Sequence, residues 1–213
     1  MAHAIQVLQA EKLSTQNWYD LQGLARTAFR QTLAGQRDHA DVDALVGWSN
    51  RDAYAASHKD PNALVGERYS ARQAYRNPRV AVATDAGEVL GFAYSANNVS
   101  GGRLERGLKQ LGTKKNYLWL RETAVLPDHW REGIALGLGE ALLKEAKPNQ
   151  PVSAYVWPDE MPDVPIMLSQ FGFTETGETT EAIFGDQAPS TRQVRMQAES
   201  VAAVLEQIDQ YRN

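Results

Sequence analysis

One stretch of the sequence, residues 116–147, limits what the rest of the chain can fold into. Within it, residues 117–126 are dense in Leu, Trp, Thr and Val, so that both alternating faces are largely apolar. A strand of this kind belongs inside a sheet that is covered on both sides. Pro127 ends the strand, a turn containing Gly133 follows, and apolar residues at helical spacing run on until Pro148 ends the helix. The sequence therefore predicts a central strand that leads through a glycine turn into a helix.

The junction between this strand and this helix is a possible anion site. The first turn of a helix carries unpaired N–H groups and the positive end of the helix dipole. A glycine there removes the Cβ, so that a phosphate can approach the backbone closely. A plain strand–turn–helix, in which Gly133 serves only the geometry of the turn, explains the junction equally well.

Composition and charge exclude several classes of function. The 213 residues suffice for one core, so we expect a single domain over residues 1–213, and the net charge of −4 argues against a general nucleic-acid binder. The absence of cysteine excludes disulfides and a cysteine nucleophile, and four scattered histidines predict no metal site. There is no apolar run of about 18 residues and no leader pattern, so we expect a cytoplasmic protein that does not contact membranes.

The remainder of the chain reads as alternating strands and helices. Residues 4–9 alternate as a first strand, and Ser14 or Thr15 can cap a helix with one apolar face. Residues 79–84 and 89–97 flank a Gly-containing turn and predict a hairpin. Further predictions are a fifth strand at 151–157, an irregular stretch at 158–165, a short helix from Ile166 that ends at Gly172-Phe173, a second hairpin at 174–184 and 191–198, and an amphipathic helix at 201–211.

Two regions of the sequence have patterns that fit more than one interpretation. Residues 34–77 contain two possible helices, 41–48 and 64–75, which either cover the core, as we prefer, or form an insertion that shapes an acceptor site. Residues 98–115 are polar, basic and rich in glycine, which predicts a surface loop whose charge could also attract a phosphate.

Taken together, these segments resemble the GCN5-related N-acetyltransferase (GNAT) family. Val125-Leu126-Pro127, followed by Trp130-x-x-Gly133-x-Ala135, is similar to the family's motif A, a Val-x-Pro-like strand end followed by Arg/Gln-x-x-Gly-x-Gly/Ala. Trp130 stands where Arg or Gln is usual. The short helix before Gly172-Phe173 resembles motif B, usually Tyr-x-x-x-Gly-Phe, with Leu168 at the position of the tyrosine. The resemblance spans nearly the whole chain and is strongest over residues 79–173.

The resemblance implies an α/β (α+β) GNAT fold with a mixed, mostly antiparallel central sheet of about seven strands, flanking helices and an extra C-terminal helix. It implies an N-acetyltransferase that moves the acetyl group of acetyl-coenzyme A directly to a primary amine. The acceptor is a small-molecule or peptide amine that the sequence does not identify, and both a monomer and a homodimer remain open. The alternative is a GNAT-like acyl-CoA-binding module without catalysis, which Trp130 and Leu168 motivate. A nucleotide-binding protein built on Gly137-x-Gly139 is rejected because these glycines fall inside the helix.

The resemblance also implies site residues. The backbone of the strand end and of the turn would bind the cofactor, which assigns this role to Ala124, Val125, Leu126, Arg131, Glu132, Gly133, Ile134 and Ala135.

Acyl transfer to an amine needs a base within hydrogen-bond reach, donors for the developing oxyanion and a proton for the leaving thiolate. Glu122 is the candidate base, because it alone can accept a proton on the predicted central strand; a salt bridge with a neighbouring arginine is the plainer explanation of this residue. Leu168 cannot protonate the thiolate. The nearest hydroxyls by position are Ser169 and Tyr155, and Tyr155 is the candidate acid.

Overall fold

The computed structural model describes residues 3–9, 12–29, 75–98, 116–159, 161–182 and 191–212. Within these ranges its elements are β1 (Ala4–Gln9), α1 (Thr15–Phe29), β2 (Tyr75–Asp85), β3 (Glu88–Asn98), β4 (Leu118–Val125), a 3₁₀ turn (Pro127–His129), α2 (Ile134–Lys144), β5 (Val152–Val156), α3 (Asp163–Gln170), β6 (Thr174–Ala182), β7 (Thr191–Ala198) and α4 (Val201–Arg212). None of the helices in these ranges is long and apolar enough to cross a membrane. The helix predicted at 41–48, and nearly all of the helix at 64–75 and of the loop at 98–115, lie outside the described residues.

The strands of the described ranges form one seven-stranded sheet in the order β1-β2-β3-β4-β5-β7-β6. Every neighbouring pair is antiparallel except β4 and β5, which run parallel. The predicted fold, a mixed and mostly antiparallel sheet of about seven strands with an added C-terminal helix, is thus confirmed. The predicted central strand, β4, occupies the middle of the sheet.

The hairpin of β2 and β3 closes through a two-residue turn. Ala86 and Gly87 have φ angles of 47° and 89°, and such positive angles suit the twist of a tight hairpin. β2 begins four residues before the predicted Arg79, at Tyr75, which pairs with Asn98 on β3. A helix that reaches Tyr75 is therefore wrong. The register shifts between Arg76 and Arg79, and such a bulge lets the strand pass a proline that cannot donate to the ladder.

Helices cover both faces of the β1–β4 half of the sheet. Val80 and Ala81 point to opposite faces because side chains alternate along a strand. On the face of Val80, α1 buries four apolar residues, Leu21, Leu24, Ala25 and Ala28. On the face of Ala81, α2 buries Ile134, Leu138 and Leu142. This packing places the start of α2 at the end of β4, where the functional site lies.

The C-terminal helix α4 packs on the β4–β5–β7 part of the sheet. Its buried residues Val201, Val204 and Ile208 share a core cluster with residues of β4, β5 and β7. The amphipathic helix predicted at 201–211 is confirmed, and it packs on the core of its own chain.

Helix boundaries follow local chemistry. α1 begins after Ser14, whose Oγ accepts a hydrogen bond of 3.1 Å from the backbone N–H of Asn17. α2 ends at Lys144, earlier than the predicted stop at Pro148. α3 begins at Asp163 rather than Ile166, because Pro165 lies in the first turn, where a helix needs no N–H.

Candidate active site

β4 and β5 lie side by side only over their first residues. Their ladder ends at the pair Leu120–Ala154, whereas β4 continues to Val125. At the point of separation, one extra residue, Arg121, interrupts the pairing of β4 with β3. Bulges of this kind bend a strand and increase its twist. The outer half of β4 therefore leaves a gap between the two central strands.

The backbone of β4 presents particular amides to this gap. The Leu126 N–H donates to the Leu90 carbonyl on β3 at 2.8 Å. Because antiparallel pairing alternates along a strand, the N–H of Ala124 also points to β3, and those of Thr123 and Val125 point to the β5 side. Of Ala124 and Val125, both predicted to bind the cofactor through the backbone, Val125 is thus the one whose N–H faces the gap and could serve as an oxyanion donor.

The turn before α2 has the geometry of an anion site. Gly133 caps the helix with a φ of 78°, a conformation that favours glycine. A Cβ built on Gly133 would meet no other heavy atom within 4 Å, so the space above this backbone is open. The first intrahelical bond runs from Gly137 N–H to Gly133 O at 3.0 Å, which leaves the N–H groups of residues 134–136 without partners in the helix.

Trp130, which replaces the usual Arg or Gln of the motif, ties the turn to the strand. Its indole N–H donates to the Val125 carbonyl at 2.8 Å. Trp130 nevertheless stays 46% exposed. The substitution therefore changes the charge at the turn, while it fixes the position of the turn relative to β4.

Glu132, in the same turn, faces two histidines. Its Oε2 lies 3.2 Å from His3 Nε2 and 3.2 Å from His129 Nδ1. The Glu132 side chain does not line the cleft described below. Only its backbone remains a candidate for cofactor binding.

Two connected cavities extend from this turn. The outer cleft, of ≈ 530 Å³, is lined by the end of β4, the turn, the start of α2, one side of α3 and the end of α4. The inner cavity, of ≈ 330 Å³, lies at the gap between β4 and β5 and under α2, α3 and α4. The two cavities form one continuous path, because they share six lining residues. These are Thr123, Ala135, Leu136, Met161, Met167 and Phe171. Each volume is typical of a small-molecule site.

The inner cavity is mostly apolar and contains both predicted catalytic residues. Glu122 on β4 and Tyr155 on β5 are among the residues that line it. The Tyr155 ring stacks on Trp119 at a centroid distance of 5.0 Å, which restrains its orientation. Leu168 lines the same cavity. The Oγ of Ser169 instead donates to the Pro165 carbonyl at 2.9 Å within α3, so Tyr155 is the better placed of the two hydroxyls.

A second carboxylate at the inner cavity is bound in an ion-pair network. Glu140, 7% exposed, lies 2.6 Å from Lys144 Nζ and 2.6 Å from a terminal nitrogen of Arg212. Burial alone would raise the pKa of the Glu140 carboxyl, but the hydrogen bonds from Lys144 and Arg212 outweigh burial and hold that pKa below its usual value. The network joins the end of α4 to α2. These ion pairs give Glu140 a structural role.

Most of the predicted cofactor-binding residues line the outer cleft: Ala124, Val125, Arg131, Gly133, Ile134 and Ala135. Leu126 does not. Its N–H is bonded to Leu90, its carbonyl accepts from the His129 N–H at 2.9 Å, and its side chain packs against the core beside α1. The geometry therefore does not support Leu126 as a ligand-binding residue.

Other lining residues were not predicted from the sequence. Thr123 could have been found from strand alternation, because it lies two residues before Val125 on the same strand edge. Met161, Met167, Phe171 and Tyr211 enter through the tertiary packing of α3 and α4, and no local pattern signals that packing.

With this geometry in hand, comparison with known proteins identifies the class. A family model described as the acetyltransferase (GNAT) family matches residues 42–173, which is more than half of the chain. The chain belongs to the GNAT acetyltransferase family. Acetyl-coenzyme A is the acyl donor of this family, so the predicted co-substrate is confirmed at that level. No curated protein sequence gives a significant match.

Solved structures share the fold at low sequence identity. The PaiA N-acetyltransferase of Thermoplasma acidophilum, in complex with coenzyme A, gives a TM-score of 0.53 at 13% identity over 92% of this chain and 99% of that chain. YncA of Salmonella typhimurium, solved with acetyl-coenzyme A, gives 0.51 at 16% identity over 93% and 94%. A Corynebacterium glutamicum structure, described as histone acetyltransferase HPA2 and related acetyltransferase, gives 0.52 at 13% identity over 94% and 97%. At these identities the likeness shows the fold.

Proposed function

We propose that this protein is an N-acetyltransferase that moves the acetyl group of acetyl-coenzyme A to the primary amine of a small molecule or peptide. One observation carries the proposal. The gap between β4 and β5 connects an open helix N-terminus at Gly133 with an apolar cavity whose lining residues include an acid, Glu122 on β4, and a tyrosine, Tyr155 on β5.

The residues present fit the acyl donor. The open backbone at Gly133, with the N–H groups of Ile134 and Ala135, would hold the pyrophosphate. The gap-facing edge of β4 at Thr123 and Val125 would hold the extended arm through backbone hydrogen bonds. When bound, acetyl-coenzyme A supplies an activated thioester. The Trp130 side chain supplies none of these hydrogen bonds to the cofactor, although it holds the turn against β4.

The chain's own groups divide the remaining work. The Glu122 carboxylate takes a proton from the acceptor amine, directly or through a water. The Val125 N–H, aimed at the gap, donates to the acyl oxygen as negative charge develops there. The Tyr155 hydroxyl, held by its stack on Trp119, donates a proton to the departing sulfur. Direct transfer in one ternary complex follows from this division, and we propose that one domain, residues 1–213, carries it out.

A binding module without catalysis is the second candidate. Leu168, which lines the inner cavity where the family usually has a tyrosine, is the observation that favours it. Such a module would bind coenzyme A and would release no thiol with any amine.

Ligand screening separates the two candidates. We expect acetyl-coenzyme A and coenzyme A to raise the melting temperature, and NAD and ATP to leave it unchanged or to raise it less. A panel of small amines, polyamines, amino sugars and peptides, read by thiol release, should then give turnover with at least one acceptor. Stabilisation by acetyl-coenzyme A without thiol release across the panel would support the module, and no stabilisation by either ligand would contradict both.

A further inference from the structure

Exposed apolar side chains concentrate around the outer cleft. Among the described residues, five large hydrophobic side chains are exposed: Ile5, Trp130, Ile166, Met167 and Tyr211. Three of these, Trp130, Met167 and Tyr211, line the outer cleft. Scattered exposed apolar residues need no explanation, whereas a cluster around a cavity marks a place where a ligand covers them.

Tyr211 is presented to this cleft by the last turn of α4. Its ring meets Phe171 edge-on, with a centroid distance of 5.6 Å and an interplanar angle of 78°. The residue is nevertheless 65% exposed. An edge contact fixes the ring and leaves its face open to a planar partner.

The end of α4, which lines the outer cleft, is fixed in position by two contacts. Ile208, one turn before Tyr211, is buried in the core. The next residue after the tyrosine, Arg212, reaches the buried Glu140 on α2 at 2.6 Å. Tyr211 is therefore pre-positioned, so that little conformational freedom is lost when a ligand binds.

Two parts of the outer cleft differ in chemistry. At the turn, the open backbone of Gly133 and the cation of Arg131 suit phosphate. On the wall formed by α3 and α4, α3 contributes Met167 and Gln170 and α4 contributes Tyr211. Met167 and Gln170 are three residues apart and so share one helix face. A ligand that contacts both parts carries phosphate and a flat, hydrogen-bonding ring.

We propose that Tyr211 stacks on the adenine base of coenzyme A, with Met167 beside the base and Gln170 within reach of its edge. The proposal rests on the proposed function, because it assigns the nucleotide part of the same acyl donor. The ring comes from α4, which lies outside the family-matched residues 42–173. The helix added at the C-terminus thus completes the nucleotide end of the cofactor site.

Binding measurements with two ligands test this assignment. Coenzyme A carries the base, whereas 4′-phosphopantetheine has the arm and one phosphate without it. We expect Tyr211→Ala to weaken coenzyme A about tenfold, within the range for loss of one base–aromatic stack. The affinity for 4′-phosphopantetheine should stay as in the wild type. Calorimetry gives both constants without any need for turnover.

Three further variants sharpen the test. Tyr211→Phe keeps the ring and should bind coenzyme A like the wild type. Tyr211→Leu keeps an apolar contact with Phe171 and should lose affinity as Tyr211→Ala does, which removes any ambiguity from altered packing. Ile166→Ala deletes an equally exposed apolar side chain of α3 that does not line the cleft, and should change nothing.

The outcomes separate this inference from the proposed function. Wild-type protein that binds coenzyme A and releases thiol, together with unchanged coenzyme A affinity in Tyr211→Ala, would overturn the role of Tyr211 alone. Equal losses for coenzyme A and 4′-phosphopantetheine would also overturn it, because Tyr211 would then support the fold of the cleft. Wild-type protein that binds neither ligand would overturn both proposals.

Discussion

The two ends of the cofactor path are built from different parts of the polypeptide. At the turn before α2 the functional groups are backbone N–H groups, opened by Gly133. In the inner cavity the functional groups that we propose are side chains, those of Glu122 and Tyr155. In the proposed mechanism the turn therefore tolerates Trp130 in place of the usual Arg or Gln, whereas Leu168 in place of tyrosine requires that another hydroxyl or solvent protonate the thiolate. A departure from a family motif matters according to whether the motif position contributes its backbone or its side chain.

Removal of the cavity carboxylate gives the largest expected effect. Glu122→Gln keeps size and hydrogen bonding but cannot accept a proton, so we expect turnover to fall roughly 10²-fold, at the low end for lost general base catalysis. The affinity for acetyl-coenzyme A should stay unchanged, because the groups proposed to bind its phosphates and base line the outer cleft, which Glu122 does not line. Glu175→Gln, an exposed acid on β6, is the matched control. If Glu122→Gln lowers the affinity for acetyl-coenzyme A as well as turnover, then Glu122 also supports cofactor binding, and the division between a binding turn and a catalytic cavity is wrong.

Substitution at the turn should have the opposite signature. Gly133→Val adds strain at a φ of 78° and places a branched side chain in the open phosphate space, so we expect coenzyme A to bind at least tenfold more weakly, about 1.4 kcal/mol. Gly177→Val is a close control, because Gly177 on β6 has a φ of 77° and an equally open surrounding. Both variants should lose similar stability. If calorimetry gives equal coenzyme A affinity for Gly133→Val and Gly177→Val, the backbone at Gly133 does not bind the phosphates.

Changes at the leaving-group position should be smaller. The coenzyme A thiol, with a pKa near that of an ordinary thiol of about 8.5, needs little help to depart. We expect Tyr155→Phe to lower turnover by several-fold, less than the roughly 10² given by a typical general acid. Leu168→Tyr in that background should restore the rate, and alone should leave it unchanged or raise it. A tenfold fall in Leu168→Tyr with retained cofactor affinity would show that the cavity needs the shape of leucine.

Loss of the ion pairs that join α2 to α4 should be seen chiefly as a loss of stability that depends on pH. Because the folded pKa of Glu140 lies below its unfolded value near 4.5, its contribution is present above that value and is lost as pH falls through the folded pKa. Lys144 and Arg212 are largely exposed, so we expect Glu140→Gln to cost about 1 kcal/mol at pH 7. Denaturant unfolding should show this difference shrinking below about pH 4.5. A difference that stays constant down to pH 3 would exclude the ion pairs as its source.

The elements that were predicted correctly are those with a local signal in the sequence. The turn at Ala86-Gly87, the helix from Ile134 and the C-terminal helix at Val201 each carry their own pattern of glycine or apolar spacing, and each lies where predicted. The prediction failed at Tyr75, because only the long-range pairing with Asn98 decides that this residue is in a strand.

The candidate site was predictable on β4 and the following turn, and less so elsewhere. Glu122 and Gly133 lie within one continuous stretch, residues 116–147, which predicts a strand, a turn and a helix. The gap depends on where the ladder between β4 and β5 ends, at Leu120, and on the bulge at Arg121, which no periodicity reveals. Tyr211 reaches the cleft only because α4 folds back over the sheet.

The pH dependence of the Glu122→Gln effect tests the central claim most directly. An acceptor amine with a pKa near that of lysine, about 10.4, becomes increasingly neutral as pH rises and then needs no base. The ratio of wild-type to Glu122→Gln turnover, measured at saturating acetyl-coenzyme A from pH 6.5 to 9.5, should therefore fall steadily toward one. A ratio that is the same at every pH would show that Glu122 serves structure, and it would contradict the assignment of base catalysis to the cavity side chain.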